Sequence, residues 1–67
     1  MLIKTLFKES DHGSYRVEIH KNESGDFLVD YYSPSGMIKS ETIPNSNINL
    51  IEISASKWID GIQVLKG

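Results

Sequence analysis

The chain has 67 residues, 39% hydrophobic and 24% charged, which allows a single domain, residues 1–67, whose short length calls for a staple. With no cysteine, disulfides and a cysteine-rich zinc site are excluded, and self-association, a homodimer, is the staple expected. Seven Lys and Arg against nine Asp and Glu give a formal charge of −2, which argues against a strong, nonspecific nucleic-acid binder.

Three segments punctuate the first two-thirds: Ser10-Asp11-His12-Gly13, Asn22-Glu23-Ser24-Gly25 and Ser33-Pro34-Ser35-Gly36. Each opens with Ser or Asn, which favour the first position of a type I turn, and ends in Gly, which favours the fourth. Their cadence predicts hairpin-linked strands over roughly 2–9, 14–21, 26–33 and 37–43. In the second strand Tyr15, Val17 and Ile19 alternate with Arg16, Glu18 and His20, the period-two signature of one buried face. Bulged turns then set Ile19 opposite Val29, Val17 opposite Tyr31 and Phe7 opposite Val17. One face thereby gathers Ile3, Phe7, Tyr15, Val17, Ile19, Phe27, Val29 and Tyr31. The fourth strand leaves two options, Ile38, Ser40 and Thr42 inward or Met37 and Ile43 inward, and Pro44 ends it as an edge strand.

Beyond Pro44 the pattern changes to that of a helix over about 50–66. Asn49-Leu50-Ile51-Glu52 reads as a capping box, with Ile48 and Ile53 as its hydrophobic staple. Ile51, Ala55, Trp58, Ile62 and Leu65 follow the spacing of a core-facing stripe. Leu50, Gly61, Val64 and Ile59 widen that stripe to roughly half the circumference at about 100° per residue. A glycine inside a helix costs about 1 kcal/mol relative to alanine, and close approach of a second helix would offset that. Leu50, Trp58, Gly61 and Val64 are therefore the candidate dimer interface. The fold class expected is α+β, a four-stranded antiparallel meander followed by one C-terminal amphipathic helix packed on one sheet face.

The other face is where a binding function finds a foothold. The same register places Lys4, Lys8, Arg16 and His20 there beside Tyr32, cations around an aromatic, as single-stranded nucleic acid requires. His20 beside Asp30 imitates an acid–base pair but is an ordinary cross-sheet polar contact. His12 and His20 are too far apart to form a metal motif, and Ser33-Pro34-Ser35-Gly36 is a turn rather than a nucleophile elbow. No catalytic residue, metal or cofactor is expected. No apolar run reaches the ~18 residues of a membrane span and no signal-peptide pattern is present, so a cytoplasmic location without a membrane partner is expected.

Gly25, Leu28-Val29-Asp30, Pro34-x-Gly36 with Lys39, and Trp58 in a terminal helix resemble the positive-cofactor transcriptional coactivators. That resemblance implies a dimer whose sheet contacts single-stranded DNA. Trp58-Ile59-Asp60-Gly61-Ile62 is similar to the helix that ends small uncharacterised marine cyanophage proteins, which implies an origin rather than an activity. The strand-then-helix order also resembles the arm-binding domains of tyrosine recombinases. Together these readings describe a non-enzymatic binding module with weak single-stranded nucleic-acid binding on the helix-free face. The competing expectation is a protein-interaction or accessory module acting through homodimerisation.

Overall fold

The computed structural model describes residues 1–44 and 47–62. Among them, β1 (Leu2–Ser10), β2 (Gly13–Lys21), β3 (Phe27–Ser33) and β4 (Gly36–Ile43) form one antiparallel sheet in the order β1-β2-β3-β4, followed by α1 (Ile48–Asp60). This is the α+β meander-plus-helix architecture expected. The first and third turns use one device. Ser10 Oγ donates to the Gly13 carbonyl at 2.8 Å and accepts from His12 N at 3.2 Å, and Ser33 Oγ does the same with Gly36 and Ser35. In the second turn Asn22 Oδ1 accepts from the amides of Ser24 and Asp26, both at 3.0 Å.

Register decides which side chains share a face. Between β2 and β3, Val17 opposes Tyr31 and Ile19 opposes Val29, as expected from the alternation. The first hairpin differs by one residue. Ser10 pairs with Gly13 with no bulge beside the turn, so Leu6, not Phe7, opposes Val17, and the irregularity falls at the far end, between Leu2 and Lys4. A slip of one residue exchanges the two faces of a strand. Leu6 consequently packs against the core, whereas Phe7 is 66% exposed and Ile3 42%. In β4 a bulge between Met37 and Lys39 leaves Ile43 inward opposite Phe27, while Met37, opposite Tyr32, and Ser40 and Thr42 lie on the other face.

The core comprises Val17, Ile19, Phe27, Val29 and Tyr31 from the sheet and Ile51, Ala55 and Ile59 from α1, flanked by Leu6, Ile43, Ile48, Trp58 and Ile62. The helix lies over β1 and β2, and Trp58 reaches across to meet Tyr31 edge-on with ring centroids 4.9 Å apart. Its start lies two residues before the expected capping box. Asn47 is the N-cap, its Oδ1 accepting from Asn49 N at 2.8 Å, and Ile53 is 52% exposed rather than stapled to Ile48. Gly61 is the C-cap and not an interior residue, its amide bonding the Lys57 carbonyl at 3.0 Å. The expected continuation to residue 66, with Val64 and Leu65, lies outside the described residues.

The exchange of faces in β1 has a direct energetic consequence. Leu6→Ala should destabilise by about 2 kcal/mol, the low end for a leucine against a core, whereas Phe7→Ala should cost under about 1 kcal/mol. Urea unfolding of the two variants measures this, and a larger cost for Phe7 would restore the expected register.

Candidate functional site: the helix-free face of the sheet

With the register fixed, three rows cross the face that the helix leaves open. They are Leu2, His20, Leu28 and Thr42; then Thr5, Glu18, Asp30 and Ser40; then Phe7, Arg16, Tyr32 and Met37. The strands place these side chains together because residues two apart on a strand point to the same side.

Glu18, Asp30 and Ser40 of the middle row form a polar network with Arg16 and His20 from the rows on either side. Arg16 Nε donates to Glu18 Oε2 at 2.7 Å, and its guanidinium lies 3.9 Å from the centre of the Tyr32 ring. His20 Nε2 lies 3.2 Å from Glu18 Oε1 and 3.6 Å from Asp30 Oδ2. Ser40 Oγ donates to Asp30 Oδ1 at 2.6 Å, which carries the network on to β4. The hydrogen bond from Arg16 is the main cause that holds the Glu18 carboxyl below its ordinary value, with His20 adding to the effect and partial burial opposing it. Glu18, His20 and Asp30 are also the one group among the described residues whose donor atoms converge closely enough to hold a metal ion.

The outer rows are less polar. Phe7 is 66% exposed, Met37 54% and Leu2 51%. Single exposed apolar residues are ordinary, and these three stand on the two edge strands, Leu2 and Phe7 on β1 and Met37 on β4.

The expected nucleic-acid set divides between the two faces. Arg16, His20 and Tyr32 are on the open face. Lys4 and Lys8 are not, because the one-residue slip in β1 turns them to the helix side, where Lys4 pairs with Glu52 and Lys8 Nζ donates to the Asp60 carbonyl at 3.2 Å. Both lysines thus tether the helix to the edge strand. The expected dimer set divides too. Leu50 is 60% exposed, Trp58 packs inward against Tyr31 and Tyr15, Gly61 ends the helix, and Val64 lies outside the described residues. A Cβ at Gly61 would lie 3.2 Å from the Lys57 carbonyl of its own helix.

Phe7 and Met37 are surface residues that the sequence pattern does not reveal. Phe7 reads as core in any register that ignores where the bulge falls, and Met37 hung on the unsettled pairing of β4. No described helix is long and apolar enough to cross a membrane. Comparison of the chain with family models, with curated proteins and with solved structures finds no match.

Proposed function

We propose that the protein is a small non-enzymatic binding module that takes a protein partner on the helix-free face of its sheet. The observation that carries this reading is the row Phe7, Arg16, Tyr32 and Met37. Aromatics, methionine and arginine are the residue types enriched at protein interfaces, and aromatic and arginine anchors supply most of the binding energy. Arg16 is already stacked on Tyr32 and tied to Glu18, so little side-chain entropy remains to be lost on docking. The chemistry of the partner follows from the rows. It presents an apolar patch to Phe7 and Met37 and a cation to the carboxylates of Glu18 and Asp30. Two copies joined through this face would set those carboxylates against their counterparts, and like charges brought together cost binding energy. The reading is therefore a different protein surface.

Single-stranded nucleic acid is the second reading, favoured by one arrangement, the Arg16 guanidinium over Tyr32 with Phe7 on the adjoining strand. Bases stack on such surfaces, but the phosphates need cations as well. The lysines expected to supply them are engaged on the helix side, and Glu18 and Asp30 occupy the centre of the face. Fluorescence anisotropy with a labelled single-stranded oligonucleotide separates the two. The protein-binding reading expects no saturable binding at low salt. Binding that weakens steeply as salt rises and is lost in Arg16→Glu would transfer the function to nucleic acid.

A further inference from the structure

We propose that Glu18, His20 and Asp30 form a site for a divalent transition-metal ion, a site that does not rest on the protein-binding reading and that, when filled, supplies the positive charge otherwise left to the partner. The three residues stand on β2 and β3, the two interior strands of the sheet, where the backbone is held on both sides. Their donor atoms, Glu18 Oε1, His20 Nε2 and Asp30 Oδ2, lie within 4.8 Å of one another, with Nε2 3.2 Å and 3.6 Å from the two oxygens. Bonds of about 2.0–2.1 Å to a tetrahedral ion place neighbouring donors about 3.3 Å apart, so small rotations of the carboxylates close the set.

The surroundings of the carboxylates point the same way. Each has its other oxygen fixed by a donor outside the trio, Glu18 Oε2 by Arg16 Nε at 2.7 Å and Asp30 Oδ1 by Ser40 Oγ at 2.6 Å. Outer hydrogen bonds of this kind orient metal ligands. The two remaining oxygens both face the histidine nitrogen. A neutral imidazole carries a proton on one nitrogen only, so Nε2 can satisfy at most one of them. A dication between the three atoms satisfies all of them and offsets two carboxylate charges where, among the described residues, Arg16 is the fixed cation bonded to the trio.

The donor types select the ion. An imidazole nitrogen with two carboxylates suits zinc and its first-row neighbours, whereas calcium and magnesium favour all-oxygen shells. The side chains retain 21%, 28% and 19% exposure for Glu18, His20 and Asp30, so an ion can enter from solvent, and water would complete its shell.

Zinc chloride titrated into the full chain, followed by NMR and by calorimetry in phosphate-free buffer, tests the proposal. The expected result is saturable binding at one ion per chain, with the His20 ring and the β2 and β3 amides shifting and the melting temperature rising. His20→Ala, Glu18→Gln and Asp30→Asn should each weaken binding at least tenfold, while His12→Ala should leave it unchanged. A His20 ring that does not respond in the unaltered protein overturns the site without any reliance on the fold of a variant. Affinity retained in a folded His20→Ala chain, or a response to magnesium equal to that to zinc, overturns it equally.

Discussion

Trp58→Ala is expected to lower the melting temperature by more than about 10 °C. The indole is not sealed in the core but bridges it, meeting Tyr31 edge-on at 4.9 Å and Tyr15 at 6.4 Å, while Ile59 beside it is buried. It is a contact by which α1, lying over β1 and β2, reaches the third strand. Removing a large aromatic from a core costs about 3–5 kcal/mol, and the half-buried position of Trp58 places it near the lower end. At about 0.05–0.15 kcal/mol per residue, a chain of this length has roughly 3–10 kcal/mol to lose. Each kcal/mol moves the midpoint by about 4–8 °C in a domain of this size. A variant melting within a few degrees of the parent would show that the helix is held without the indole, by its other core contacts and its ties to β1.

Gly13→Ala is the second large effect expected, and it separates two causes that usually act together. Gly13 has φ +122° and Gly36 has φ +125°, a region an L side chain rarely adopts. Both alanine variants therefore carry a similar conformational cost, on the order of 1–3 kcal/mol. Only at Gly13 would the added Cβ also meet another part of the chain, Pro34 Cβ at 2.9 Å, whereas nothing lies within 4 Å of the Gly36 position. Gly13→Ala should thus destabilise by at least about 1 kcal/mol more than Gly36→Ala, the order of cost for forcing a packed contact apart. Equal losses in urea unfolding would mean that the first and third turns do not pack on each other.

The fold was legible in the sequence because its signals are local. Each turn announces itself by a Ser or Asn and a glycine, and Tyr15 to Ile19 alternate strongly enough to fix the register of β2 on β3. What was not legible is where an extra residue sits. A bulge beside Gly13 and a bulge at Ile3 are compatible with the same strand limits. Yet they send Lys4, Leu6 and Lys8 to opposite faces, and Phe7 with them. Local hydrophobicity favours Phe7 inward. The observed choice buries Leu6 and frees Lys4 and Lys8 to reach Glu52 and the Asp60 carbonyl, partners that lie 48 and 52 residues away and leave no local trace. The helix start moved for a smaller reason. Asn47 and Asn49 are both good caps, and Ile48 packs on the core once it is inside the helix. Of the candidate site, Arg16, His20, Tyr32 and the contact between His20 and Asp30 could be read from the β2–β3 register. Met37 could not, because its position depends on the bulge in β4.

The proposal that the open face binds protein has a competitor on the same molecule, since Leu50 and Ile53 on the helix are 60% and 52% exposed. Selection from a displayed random-peptide library, with the enriched peptides mapped by amide chemical shifts, distinguishes the two surfaces. The expected peptides pair apolar residues with a cation, shift Phe7, Arg16, Tyr32 and Met37, and bind at least tenfold more weakly to Phe7→Ser. Peptides that map to Leu50 and Ile53 and bind Phe7→Ser unchanged would contradict the proposal.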